Sequence, residues 1–120
     1  MAIQTQKTLF TPVQLGPLSL KHRVVMAPLT RSRSTQPGDI PNALMAEYYG
    51  QRASDGGLII TEATTISATA RGWFGAPGLY SDQQVEGWKK IIAAVRAKGG
   101  YTFDARGYTD YPAYEQLVTA

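Results

Sequence analysis

Two short unbroken apolar runs stand out in a chain that is otherwise amphipathic or rich in turn residues. The first, Val24-Val25-Met26-Ala27, is long enough for one buried strand and stops at Pro28, which has no N–H to give to a ladder. The second, Leu58-Ile59-Ile60-Thr61, has turn residues on both flanks and predicts a strand of a parallel sheet buried on both faces. Upstream, Leu9-Phe10 and then Val13, Leu15, Leu18 and Leu20 alternate with polar residues around Gly16-Pro17. That alternation predicts a small hairpin with one buried face. Between the two runs, Leu44, Met45, Tyr48 and Tyr49 recur at helical spacing. Asn42 offers an N-cap, and Gly56-Gly57 supplies permissive residues to close the segment. A second helix begins at Ser81-Asp82-Gln83-Gln84, a capping-box pattern, and carries an apolar stripe of Val85, Trp88, Ile91, Ile92 and Val95 as far as Gly99-Gly100. Strand, helix, strand, helix in this order predicts parallel βα units with right-handed crossovers.

Both strands spill into polar loops. Pro28, Leu29 and Thr30 follow one, and Glu62, Ala63 and Thr64 follow the other. The C-terminal edge of a parallel sheet is where ligands sit in α/β folds, although an ordinary strand exit has the same pattern. The segment from Thr65 to Tyr80 is long for a βα connection. Its Gly-Trp-Phe-Gly-Ala-Pro-Gly core suits a rim over a pocket, and a lid with incidental aromatics fits it equally. Composition narrows the field: 43% hydrophobic and 18% charged residues in 120 describe one modest globular domain. The net charge of +3 is scattered, with no Lys/Arg run to track a phosphate backbone, which argues against nucleic-acid binding. With no cysteine there are neither disulfides nor thiolate metal sites, and no metal is expected. No apolar run approaches the roughly 20 residues that span a bilayer, and the N-terminus lacks an apolar signal core. The expectation is a cytoplasmic chain without a membrane partner.

The run His22-Arg23-Val24-Val25-Met26-Ala27-Pro28-Leu29-Thr30-Arg31, preceded by Leu9-Phe10-Thr11-Pro12, resembles the opening of the old yellow enzyme family, the FMN-dependent ene-reductases that include the 12-oxophytodienoate reductases. The likeness continues through Pro37-Gly38-Asp39-Ile40-Pro41, Glu47-Tyr48-Tyr49, Gln51-Arg52-Ala53-Ser54 and Gly57 to Thr64, then Gly72 to Gly78 and Trp88-Lys89-Lys90. It implies an α/β fold, part of a (β/α)8 TIM barrel, with FMN as cofactor and NAD(P)H as reductant. By resemblance, Pro28, Leu29, Thr30 and Ala63 contact the flavin, and the Thr30 hydroxyl donates to the O4 edge of the ring. A donor there stabilises negative charge on the reduced ring and so tunes its potential. Read without the resemblance, Thr30 is a plain loop residue. Trp73, where the family usually has Tyr, and Tyr101 would wall a pocket for a small enone or nitro compound. Arg31 and Arg33 are expected to be solvated loop charges, and His22 to lie at the hairpin end, away from chemistry.

The pattern breaks at Gly100. Residues 1–100 resemble the N-terminal portion of the barrel, whereas 101–120, with Gly107-Tyr108-Thr109-Asp110-Tyr111-Pro112, resemble the family's extreme C-terminal tail. The middle is absent, and with it the residues that hold the substrate carbonyl and the FMN phosphate. A (β/α)8 barrel needs roughly 200 to 250 residues. Tyr101 to Asp104 alternate well enough for a third strand, but so short a stretch is expected to be a loop. Three readings follow. One is an incomplete ene-reductase that needs a complementary chain. Another is an inactive truncated member acting as an interaction module through its open strand edge. The last is an independent small α/β protein without a cofactor.

Overall fold

The computed structural model describes residues 8–103. A 3-10 turn, Thr8–Phe10, leads into the predicted hairpin, β1 (Val13–Leu15) and β2 (Leu18–Leu20), antiparallel with Val13 opposite Leu20. Gly16 takes a positive φ of 54° in the tight connection. The chain then alternates as predicted: β3 (Val25–Met26), α1 (Ala43–Arg52), β4 (Leu58–Ile60), α2 (Asp82–Arg96), and β5 (Tyr101–Phe103). Strands β3, β4 and β5 form one parallel sheet in that order, with Val25, Leu58 and Tyr101 in one register and Met26, Ile59 and Thr102 in the next.

The third strand corrects the expectation of a loop at Tyr101. Three residues carry little pattern of their own, but β4 presents an edge of unpaired backbone groups beside them. Tyr101 N–H bonds to Gly57 O at 2.8 Å and Phe103 O accepts from Thr61 N–H at 2.8 Å. The stretch from Tyr101 to Phe103 therefore continues the βα order across the Gly100–Tyr101 boundary. Residues 104–120, on which the likeness to a C-terminal tail mostly rests, lie outside the described residues.

Both helices start where their caps predict. The Asn42 side chain accepts from Met45 N–H, and Ser81 and Gln84 form a full capping box. Helix α1 ends at Arg52, earlier than the expected Gly56-Gly57 stop, because Ala53 turns extended at φ −71° and ψ 146°. Its Met45 and Tyr49 are buried, but Leu44 is exposed. Helix α2 buries Trp88, Ile91, Ile92 and Val95 as its stripe predicts, packing on α1 and on one face of the sheet through Met26 and Ile59. The opposite sheet face is covered unevenly among the described residues: Leu58 on the central strand is buried, as the expectation of burial on both faces requires, whereas Val25 and Phe103 on the outer strands are each 41% exposed. The hairpin closes the N-terminal end of the sheet, through Lys21 N–H to Gly56 O and the His22–Ser54 side-chain bond. His22 Nδ1 accepts from Val24 N–H at 3.2 Å, so Nε2 carries the proton toward Ser54 Oγ at 2.9 Å. Among the described residues no helix is long and apolar enough to cross a membrane.

Candidate cofactor site

The exits of β3 and β4 lie side by side at the C-terminal edge, because the two strands pair in register. Pro28, Leu29 and Thr30 follow β3, and Ala63 follows β4. Pro28, Leu29 and Ala63 are exposed and Thr30 is half-buried. Among the described residues, the Thr30 hydroxyl has no protein hydrogen bond. A half-buried donor without a partner next to exposed backbone and a small side chain fits the edge of a planar polar ring. The fit reaches no further than that edge. Arg31 and Arg33 are exposed, as expected of solvated charges; the Arg33 guanidinium donates to the carbonyls of Arg31 and Ser32, and that of Arg31 lies 5.9 Å from the centroid of the Tyr48 ring.

Two buried carboxylates, to which sequence reasoning gave no role, hold the two exits together. Glu62 is 1% exposed and sits immediately before Ala63. Its Oε1 accepts from Arg31 N–H at 3.1 Å, and its Oε2 accepts from the Tyr49 hydroxyl at 2.9 Å. The Tyr49 oxygen in turn accepts from Glu62 N–H at 3.0 Å. Burial raises the Glu62 pKa above its ordinary value; bonds from the Arg31 backbone, the Tyr49 hydroxyl and the Ser32 backbone oppose that rise without cancelling it. Burial likewise pushes the Tyr49 phenol up, reinforced by the neighbouring Glu62. On the α1 side a cavity of about 320 Å³, lined by Arg31, Arg33, Leu44, Tyr48 and Glu62 among others, reaches this carboxylate.

Asp39, fully buried, fastens the long loop after β4. Its Oδ2 accepts from Arg71 Nη2 at 2.9 Å, Arg71 Nε at 3.2 Å and the Tyr80 hydroxyl at 3.2 Å, and its Oδ1 accepts from Gln36 Nε2 at 2.8 Å. Burial alone would raise the Asp39 pKa, but these donors and the Arg71 charge win and hold it below its ordinary value. The backbone adds Gly78 N–H to Asp39 O and Ser34 N–H to Gly75 O, at 2.9 and 3.1 Å. The loop is thus anchored at its base while its tip stays out: Trp73 and Phe74 are 68% and 75% exposed. Tyr101 is elsewhere. It opens β5 level with Val25 and Leu58, at the N-terminal end of strands whose opposite ends carry Thr30 and Ala63. The sequence signal for the two acids was slight: an acid directly after an apolar strand for Glu62, and a Gly-Asp pair in a turn for Asp39, whose φ is 50°.

The model of the NADH:flavin oxidoreductase / NADH oxidase family matches residues 8–103, the whole of the described body. The chain is 54% identical over 95 residues to the flavin oxidoreductase hxnT of Emericella nidulans, covering 77% of this chain and 24% of that protein. It is 54% identical over 95 residues to 12-oxophytodienoate reductase 1 of Oryza sativa subsp. japonica, covering 79% and 24%. It is 47% identical over 113 residues to the chanoclavine-I aldehyde reductase fgaOx3 of Penicillium roqueforti, covering 93% and 30%. Among solved structures, morphinone reductase in complex with tetrahydroNAD superposes with a TM-score of 0.75 at 56% identity, over 82% of this chain and 26% of that one. The chain therefore spans about a quarter of the length of the relatives it matches.

Proposed function

The chain belongs to the NADH:flavin oxidoreductase / NADH oxidase family, and from that premise we propose that it supplies one wall of the FMN site of an ene-reductase. The reaction would be NAD(P)H-driven reduction of an activated C=C bond, such as that of an enone, with nitro compounds as further substrates. One observation supports this above the rest. The unpartnered Thr30 hydroxyl and the exposed Pro28, Leu29 and Ala63 share the C-terminal edge of paired strands, in a chain 56% identical to a morphinone reductase over that region.

When bound, FMN supplies the hydride-transfer chemistry. The chain's own residues would position it. Pro28 and Leu29 would lie along the ring, Thr30 would hold a donor at its polar edge, and Ala63 would leave room for close approach. Trp73, at the exposed tip of the anchored loop, would wall the substrate side; an indole there takes the place of a phenol and donates only through its N–H. Tyr101 opens β5 at the other end of the strands, so in this reading it would not wall the pocket. The grip on the phosphate and the substrate carbonyl would come from a complementary polypeptide.

The partly exposed apolar face at Val25 and Phe103 favours a second reading, an inactive family member that docks on other chains or on itself. Native mass spectrometry of the protein purified under mild conditions separates the two. An added FMN mass, with or without a second polypeptide, supports the ene-reductase reading. An apo monomer or heterogeneous apo oligomers overturn it.

A further inference from the structure

We infer that Glu62 is a positioning residue for the flavin-facing edge, a clamp that fixes the Thr30–Arg31 backbone against Ala63. The inference rests on the FMN reading for its consequence, but the clamp itself is defined by the protein alone. A carboxylate removed from water is unfavourable unless both oxygens have donors. Glu62 Oε1 takes the Arg31 N–H and Oε2 the Tyr49 hydroxyl, with the Ser32 backbone as a further donor, so the donors come from different parts of the fold: the backbone of the loop after β3 and the side chain of Tyr49 on α1.

The loop has a reason to need it. Beyond Met26 the strand stops, and Arg31 N–H has no ladder partner. Ser32 then turns into the left-handed region at φ 55°. A carboxylate facing that turn gives the freed N–H group a partner, as a capping side chain does at a helix start. An apolar side chain of similar size would fill the volume but leave Arg31 N–H unpaired. Tyr49 fixes the other end. It is fully buried against Trp88, and its hydroxyl both donates to Glu62 Oε2 and accepts from Glu62 N–H, so the side chain has little freedom to turn. Thr64 Oγ1 also donates to Glu62 O at 2.9 Å, which steadies the backbone on the far side of Ala63. Thr30 adjoins the clamped Arg31, and Ala63 adjoins Glu62. The two residues proposed to meet the ring are thus each one peptide from the same carboxyl group. A shift of about 1 Å in such a pair is enough to lose much of the benefit of orientation.

The test follows the Arg31 amide by NMR in the native chain and in Glu62→Gln, with FMN titrated into both. The charged and titratable groups around Glu62 are Arg31, Arg33, Glu47, Tyr48 and Tyr49. In the native chain the Arg31 amide resonance should follow the titration of Glu62, a signature that a space-filling role would not produce. In Glu62→Gln that pH response should vanish, Arg31 should exchange about tenfold faster, as expected for one weakened hydrogen bond to an ionisable group, and FMN affinity should drop by a similar factor. Arg31 exchange and shifts that are the same in both proteins overturn the clamp. So does FMN binding that is equally tight in both. A native chain that takes up no FMN, yet shows the Glu62-dependent response at Arg31, supports the clamp while the FMN reading falls. Should Glu62→Gln not fold, Tyr49→Phe serves instead. It keeps the Arg31 bond and removes a donor that lowers the Glu62 pKa, so the midpoint seen at Arg31 should move up; an unmoved midpoint overturns the inference.

Discussion

Replacing Asp39 by Asn tests how the long loop is held. Asp39 has no solvent exposure, and its two oxygens face only donors: Gln36 on one side, Arg71 and Tyr80 on the other. An asparagine must present its NH2 to one of those sides. The better choice points its oxygen at Arg71 and Tyr80, so the mismatch falls on Gln36, whose amide can turn over. What is lost is the charge. Breaking a buried ion pair costs about 3–5 kcal/mol when the surviving partner stays buried. The Arg71 side chain, however, is 37% exposed and can turn to water. The expected loss is therefore smaller, about 2–3 kcal/mol. In a domain of this size that corresponds to a fall in Tm of roughly 10–20 °C. The pH dependence has a definite sign. Asp39 titrates below its ordinary 3.8 in the folded chain, so its contribution is full above that value and disappears as pH falls through the folded value. Chemical denaturation of native and Asp39→Asn chains across pH should show a stability gap that is largest near neutrality and closes in acid. Equal stability at neutral pH, or a gap that persists undiminished in acid, would refute the account of Asp39 as an ionised anchor.

Glu62 should behave in the opposite sense. Its folded pKa is raised, so its contribution is full below the ordinary value of 4.5 and is lost as pH rises through the folded value. The stability of the native chain relative to Glu62→Gln should therefore decline from acid toward neutrality in the same denaturation series. Gly75→Ala should destabilise by about 1–3 kcal/mol, because Gly75 has φ 85° and an added Cβ would lie 2.6 Å from Ser32 O. Trp73 is already largely exposed, so the released loop should show as a faster decay of its fluorescence anisotropy. Ser81→Ala should cost about 1 kcal/mol in thermal unfolding by removing half of the capping box at α2.

What the sequence made legible was what a short window encodes. The caps at Asn42 and Ser81, the Gly16 turn and the α2 stripe depend on residues within one or two turns of each other, and each appears in the fold as expected. Strand β5 escaped because its existence depends on an edge of β4 more than 40 residues earlier, not on Tyr101–Phe103 themselves. Leu44 shows the converse: its spacing suits a buried face, yet nothing packs on that side of α1 and it stays exposed. Glu62 and Asp39 were unreadable for a related reason. Acids in polar loops are usually solvated, and these two are buried only because separate loops converge on them: 31–32 with α1 around Glu62, and 71–80 around Asp39. The flavin-facing residues came from resemblance and not from periodicity, since a Pro-Leu-Thr exit has no pattern that separates it from any other strand end.

The sheet face turned away from the helices is apolar but only partly buried. A strand with one wet face alternates apolar and polar residues; β3 and β4 do not. Met26 and Ile59 point to the helices and are packed there. Their neighbours Val25, Ile60 and Phe103 point the other way and are just as apolar, although Val25 and Phe103 remain 41% exposed. Leu58, on that same face, is buried all the same, so burial is complete on the helix side and partial on the other. Strand β3 also has an edge without a strand partner among the described residues, with no charged residue within it to discourage pairing. Two apolar layers and an open edge are what a parallel sheet needs in order to continue into further βα units around a common interior. The helix-covered face is thus the completed layer among the described residues, and the face around Val25 and Phe103 is the less covered of the two.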